Sequence, residues 1–203
     1  MTEQSSAPQL YLTIPVGVGA SAFGPLLGEM LDRFPVACLR IPGAGSEDDL
    51  GRIADLVRDI AHDRDVAVVI EDHVQIAQRH GLDGVHLTRE LRNIRAIRKE
   101  LGADAIIGAF CGASRHDGLN AGEAGVDYVS FGPCGPTTLG QGEVAPLDLF
   151  AWWSEVIEVP VVAEGALTPA LIAQLAPVAD FIALGSEVWS APDPVEALAQ
   201  LWR

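Results

Sequence analysis

Small residues follow the last two apolar runs of the chain, at places where a phosphate group could bind. Gly165 and Ala166 follow one run, and Gly185 and Ser186 follow the next. Short side chains expose backbone N–H groups, and a helix that begins there adds a dipole that favours an anion. The same residues could instead serve only to permit tight turns between a strand and a helix. Because the two pairs stand in consecutive units, we expect them to form one phosphate-binding site.

A second polar segment, Glu71-Asp72-His73, follows an earlier apolar run directly. Asp72 could hold a metal ion or serve as a catalytic group, or the segment could be a solvated helix start. Mg²⁺ needs one or two carboxylates beside a phosphate, and only Glu71 or Glu164 could join Asp72. Since no Cys-x-x-Cys or His-x-x-x-His pair occurs, the sequence argues against structural zinc.

A basic pair, Arg115 and His116, stands where a helix is expected to begin. Arg115 could bind an anion of the substrate, and His116 could transfer a proton. The alternative is a capping motif, started by Ser114, that carries surface charges. His86 lies inside a strand pattern, which is more typical of a buried, hydrogen-bonded histidine than of a base.

The elements that would position these residues alternate regularly along the chain. Eight short apolar runs are each followed by a helix or a helical turn, with the first strand predicted over residues 10–15 and the seventh over 159–163. This alternation is typical of a closed (β/α)₈ barrel or of an open doubly wound sheet. No Gly-x-Gly-x-x-Gly opens the first unit, which disfavours the dinucleotide-binding sheet. We therefore predict an α/β fold, a (β/α)₈ TIM barrel, as a single domain over residues 1–203.

A weak internal repeat marks the helix-to-strand connections. The tripeptides at 81–83, 102–104 and 125–127 have the form Gly-x-Asp, and each stands between a helical segment and an apolar run. Glycine can end a helix in the left-handed conformation, and the aspartate can turn the chain into the strand. Thr88 is expected to cap the fourth helix, and Thr168 and Asp193, each followed by proline, are expected to cap two later ones.

Composition limits the partners. The formal net charge is −15 with a pI near 4.5, which argues against nucleic acid and anionic lipid. The three cysteines are too few for a disulfide framework, and neither a signal peptide nor a membrane-length apolar run is predicted, so we expect a cytoplasmic protein. Of the adjacent Trp152 and Trp153, one should pack against the barrel and the other could mark a homodimer contact.

Four segments of the chain, at 84–87, 127–133, 159–163 and 183–186, carry a family resemblance. In order and spacing they resemble the Gly-Val-His-Leu, Asp-Tyr-Val-Gly-Phe-Gly-Pro, Pro-Val-Val-Ala-Ile-Gly-Gly-Ile and Val-Val-Ser stretches of the thiamine phosphate synthase/TenI family of (β/α)₈ barrels. The resemblance implies a barrel that joins a thiazole phosphate to a pyrimidine methyl diphosphate. It also implies magnesium as the ion that holds the diphosphate.

The resemblance implies further site residues. Arg40 matches the arginine of a Gln-x-Arg-x-Lys segment after the second strand, and Asp72 keeps one potential metal ligand. Thr137 and Thr138 stand where the family has a Thr-x-Thr-Lys loop that binds phosphates. The two lysines of these segments are absent here.

Each missing electrostatic contact lowers a rate by roughly 10²–10³. We therefore expect a divergent thiamine phosphate synthase-like barrel that binds a phosphorylated thiazole or pyrimidine metabolite and condenses the two inefficiently. The alternatives are a TenI-like thiazole tautomerase with His116 as proton shuttle, a non-catalytic regulatory barrel that binds a phosphorylated metabolite, or another phosphate-substrate barrel.

Overall fold

Eight parallel strands close into one barrel in their order along the chain, which confirms the predicted (β/α)₈ fold. The computed structural model describes residues 7–17, 20–88, 93–137 and 143–202. The strands are β1 Gln9–Thr13, β2 Val36–Ile41, β3 Ala67–Glu71, β4 Gly84–Leu87, β5 Ile106–Phe110, β6 Tyr128–Phe131, β7 Val161–Glu164 and β8 Phe181–Leu184. The helices are α1 Ala20–Arg33, α2 Glu47–His62, α3 Val74–Arg79, α4 Ile94–Leu101, α5 Arg115–Ala124, α6 Leu147–Val156, α7 Pro169–Leu175, α8 Ser186–Trp189 and α9 Pro194–Leu201. Strand β1 pairs with β8, with Tyr11 opposite Ala183, and this pairing completes the ring.

Two apolar layers follow from the alternation of side chains along each strand. One layer fills the space between strands and helices, and it includes the fully buried Leu10, Leu39 and Val129. The other is a smaller cluster inside the barrel: Tyr11, Cys38, Val69, Tyr128, Val162 and Ala183. The barrel is therefore a packed core, and only its ends can bind a ligand.

Two of the three Gly-x-Asp tripeptides connect a strand to its neighbour. Gly81, Gly102 and Gly125 have φ angles of 62°, 98° and 96°, a region that glycine adopts at little cost. The carboxylate of Asp83 accepts from the backbone N–H of Val68 at 2.7 Å, and that of Asp127 accepts from Ile107 at 2.6 Å. The aspartates thus do more than turn the chain, because they satisfy N–H groups at the start of the preceding strand.

Most predicted helix starts are confirmed, and one differs. Thr168 and Asp193 each accept a hydrogen bond from the backbone three residues on. Thr88 is not the cap of α4, which begins at Ile94 after Asn93; the Thr88 side chain instead donates to Asp72. Helix α5 begins at Arg115, where a helix start was predicted.

No helix in the described ranges is both long enough and apolar enough to cross a membrane.

Candidate functional site

The carboxyl ends of the strands surround a cavity of about 330 Å³, which we call the mouth cavity. Its lining includes most of the residues predicted to bind phosphate or substrate: Arg40, Thr137, Gly165, Ala166, Gly185 and Ser186. Barrel closure brings β2, β7 and β8 together at this end, which is where barrels of this kind place their chemistry. Thr138 lies outside the described residues.

Arg40 is the buried cation at the floor of the mouth cavity, with 8% of its surface exposed. Its Nη2 lies 2.6 Å from Oε2 of Glu164, and its Nε lies 3.2 Å from Oε1 of Glu71. Its Nη1 lies 2.9 Å from Nε2 of His86. The three partners end or lie within β7, β3 and β4, so one side chain links strands around much of the ring.

The protonation of His86 follows from this contact. A guanidinium can only donate, so Nε2 of His86 accepts and the ring proton resides on Nδ1. Nδ1 then donates to the hydroxyl of Tyr128 at 2.9 Å, and that hydroxyl lies 2.9 Å from the hydroxyl of Tyr11. Burial first, and the charge of Arg40 second, lower the pKa of His86 well below its usual value. The imidazole is therefore neutral and orients Arg40, as expected for a buried, hydrogen-bonded histidine.

The charge of Arg40 is balanced by two carboxylates of the chain itself. Burial alone would lower the pKa of Arg40, but Glu164 and Glu71 hold it above its ordinary value. Burial raises the pKa of Glu71, and the charge of Arg40 opposes that shift. Within the described chain, Nε of Arg40 and Oε2 of Glu164 have no partner in hydrogen-bond geometry, so these short contacts are ionic ones without aligned N–H groups. The positive charge of Arg40 is thus already matched by Glu71 and Glu164 in the protein without ligand.

The two late loops are joined by a carboxylate that sequence reasoning missed. Oε1 of Glu187 accepts from the backbone N–H of Leu167, and Oε2 accepts from that of Gly185, both at 3.0 Å. Gly165 and Ala166 have φ angles of 84° and 54°, and the latter is unusual for a residue with a side chain. The signal that could have revealed Glu187 is its position in the first helical turn after a strand, where acidic residues are favoured.

Asp72 lies in a neighbouring cavity of about 620 Å³, which also contains Glu71, His73 and Thr88. Asp72 has a φ angle of 57°. Its Oδ1 accepts from the backbone N–H of Thr88 at 2.8 Å, and its Oδ2 accepts from the Thr88 hydroxyl. Of the two candidate second ligands, Glu164 pairs with Arg40, whereas Glu71 lines the same cavity as Asp72 and also contacts Arg40.

A magnesium site at Asp72 can be tested on these contacts. Among the residues described, no three His, Cys, Asp or Glu side chains form a metal-binding group. Magnesium that arrives with a diphosphate needs only one or two protein carboxylates, because water and phosphate oxygens complete its octahedron. One carboxylate oriented by Thr88, with Glu71 beside it, fits that limited role.

Arg115 and His116 are not brought to the mouth cavity. Both are exposed on α5. The guanidinium carbon of Arg115 lies 4.8 Å from the centre of the Trp152 ring, and Nε2 of His116 lies 3.1 Å from Nδ2 of Asn120. Ser114 accepts from the backbone of Asp117, as in the capping alternative. The catalytic and substrate-binding roles of Arg115 and His116 stay predictions that this geometry does not support.

The cysteines offer no alternative nucleophile. Burial raises the pKa of Cys38, Cys111 and Cys134 to about 12, so each thiol is protonated near neutrality.

Comparison with known proteins identifies the family. The family model described as thiamine monophosphate synthase matches residues 30–188. The chain is 40% identical over 202 residues to a thiamine-phosphate synthase of Rhodospirillum centenum, and the match covers 96% of each chain. It is 36% identical over 209 residues to a thiamine-phosphate synthase of Erythrobacter litoralis, and that match covers 98% of each chain. The structure of a thiamine phosphate pyrophosphorylase from Pyrococcus furiosus superimposes with a TM-score of 0.81 at 24% identity, over 95% of this chain and 93% of that one, a likeness of fold. The chain therefore belongs to the thiamine monophosphate synthase family.

Proposed function

We propose that this protein is a thiamine phosphate synthase that joins a thiazole monophosphate to a pyrimidine methyl diphosphate. The observation that carries the proposal is the match along nearly the full length of relatives that bear that name. The family chemistry is a substitution in which diphosphate leaves and the thiazole nitrogen captures the pyrimidine cation. The mouth cavity offers a place for the reaction at the end of the barrel where the described strand termini converge.

Different residues would bind the phosphate group, hold the magnesium ion and supply positive charge. The small residues after β7 and β8, Gly165, Ala166, Gly185 and Ser186, would bind the thiazole monophosphate through backbone N–H groups. Asp72, oriented by Thr88, would hold Mg²⁺, and the ion would offset charge on the leaving diphosphate. Arg40, held by His86, would supply a further positive group at the floor of the cavity.

The carboxylates favour a slow reaction. Glu71 and Glu164 compensate Arg40, and two lysines expected in the family are absent, so less positive charge faces the diphosphate. Each lost contact of this type lowers a rate by roughly 10²–10³. The carboxylate of Glu164, which lines the mouth cavity, would have the opposite effect at a later step, because it would stabilise a pyrimidine cation once diphosphate has left.

The test is incubation of purified protein with both substrates and Mg²⁺, followed by chromatographic measurement of thiamine phosphate. We expect product formation that requires Mg²⁺ and falls at least about 100-fold in Asp72→Asn, with exposed Glu155→Gln as the matched control. No product at any Mg²⁺ concentration would refute the proposal. In that case aromatisation of the thiazole alone would identify a tautomerase, and heat stabilisation by thiazole phosphate without turnover would identify a binding protein.

We also propose a cytoplasmic homodimer. Exposed apolar side chains on α5 and α6, namely Leu119, Leu147 and Val156, together with the half-buried Trp152 on α6, support the contact expected from the tryptophan pair. Trp153 is fully buried and packs against Phe131, as predicted for its partner in the pair. Light scattering after size-exclusion chromatography would measure the mass, and a monomer at micromolar concentration would contradict the proposed dimer.

A further inference from the structure

The described part of the mouth cavity contains an internal anion, the carboxylate of Glu187. Its two oxygens accept from the two loops that the sequence predicts to bind phosphate, one bond from Leu167 after β7 and one from Gly185 after β8. Both bonds measure 3.0 Å. A carboxylate that bridges two backbone N–H groups occupies the positions that two oxygens of a phosphate group would take.

A cation lies at the same cavity. The side chain of Arg40 is nine-tenths buried and lines the cavity together with Gly165, Ala166 and Ser186. Glu71 and Glu164 already match its charge. A phosphate group at this cavity therefore depends on the backbone N–H groups of the two loops for its binding.

We infer that Glu187 is a specificity-determining residue that competes with the phosphate group of the substrate for these N–H groups. The inference rests on the proposed phosphate site and deepens it. A phosphate monoester can use the N–H groups of Leu167 and Gly185 only after the Glu187 carboxylate has moved away. Where the carboxylate stays, two like charges lie within a few ångströms of each other, and such repulsion changes a binding constant by well over about tenfold.

The same contact has a structural role in the protein without ligand. Glu187 connects the loop after β7 with the loop after β8 and satisfies an N–H group on each. Removing the carboxylate leaves both groups unpaired until an anion replaces it. Phosphate should therefore stabilise a variant without Glu187 more than it stabilises the unchanged protein.

The test measures binding of inorganic phosphate by titration calorimetry to the full chain and to Glu187→Ala, with Glu155→Ala as the control. Glu155 is exposed on α6, so its removal changes the net charge equally without touching the cavity. We expect phosphate to bind Glu187→Ala at least about tenfold more tightly than either of the other two proteins. In thermal unfolding, Glu187→Ala should melt about 3–6 °C lower without phosphate, and saturating phosphate should restore that loss.

A smaller gain in phosphate affinity, or none, would overturn the inference. If the alanine variant does not fold, Glu187→Gln decides the question, because it keeps the side-chain length, removes the charge and should show the same direction of change. Formation of thiamine phosphate by the unchanged protein is measured separately. An active enzyme whose Glu187 variants bind phosphate no better would refute the inference and leave the proposed function standing.

Discussion

Replacing Arg40 with methionine should destabilise the barrel strongly, because it leaves two carboxylates without the cation that they share. The substitution removes ionic contacts of 2.6 Å to Glu164 and 3.2 Å to Glu71, and it removes the donor to His86. Removing one partner of a buried ion pair costs about 3–5 kcal/mol. Since two acidic partners and one acceptor are affected, we expect a loss of about 4 kcal/mol in the free energy of unfolding, or roughly 8–16 °C in Tm.

Urea denaturation followed by circular dichroism measures this loss. The matched control is Arg52→Met, because Arg52 pairs with Asp49 at the same distance of 2.6 Å while both side chains are about two-thirds exposed or more (71% and 67%). An exposed pair of this kind contributes about 0–1 kcal/mol. The double variant Arg40→Met with Glu164→Gln should recover part of the loss, because it removes one of the two remaining charges.

Two results would refute this reasoning. A loss in Arg40→Met within about 1 kcal/mol of the Arg52→Met loss would mean that the buried ionic cluster contributes little. A double variant no more stable than Arg40→Met would mean that the cost does not come from an uncompensated carboxylate at Glu164.

Further predictions concern the barrel interior and the strand connections. Gly108→Ala should lose about 3 kcal/mol in urea unfolding, because a Cβ there would overlap the buried Tyr128 ring. The pKa of His86 is lowered by burial and then by a nearby cation, so below pH 6.5 the unfolded chain binds a proton that the folded chain does not. The free energy of unfolding should therefore fall by up to about 1.4 kcal/mol per pH unit as the pH drops below 6.5. The His86→Gln variant should lose that slope. Equal slopes of unfolding free energy against pH in the variant and the unchanged protein would contradict this. Asp127→Ala should cost about 1–3 kcal/mol, because a strand N–H loses its acceptor and Arg98 loses its ionic partner. Asp104→Ala, exposed at the equivalent repeat position, should stay within about 0.5 kcal/mol. Equal losses would show that these contacts of Asp127 do not stabilise the fold.

The strands and helices were predictable because their signals are local. The first and seventh strands, predicted over 10–15 and 159–163, lie at Gln9–Thr13 and Val161–Glu164. Glycine at helix ends and proline after a cap act through the conformations of a few adjacent residues, so they need no tertiary information. The expected cap at Thr88 failed because the side chain found a tertiary partner, Asp72.

The candidate site was predictable only in part. The small residues after β7 and β8 do lie together with Arg40, since closure of a barrel places the carboxyl ends of all its strands at one rim. Arg115 and His116 also follow a strand, but helix α5 begins directly at Arg115 and leaves both side chains exposed. Spacing along the chain could not distinguish these cases, because it does not state which way a side chain at a helix start faces.

From the amino-acid sequence alone came the order of strands and helices, the barrel and the family, because hydrophobic periodicity and turn chemistry operate between near neighbours. Only the tertiary structure decided that the cation at the mouth cavity is matched by Glu71 and Glu164, and that Glu187 bridges the two late loops. Those contacts depend on closure of the ring, which brings together side chains as distant in the chain as Tyr11 and Tyr128, 117 positions apart. Electrostatic and hydrogen-bond energies fall steeply with distance and angle, so they follow from coordinates and not from the order of residues.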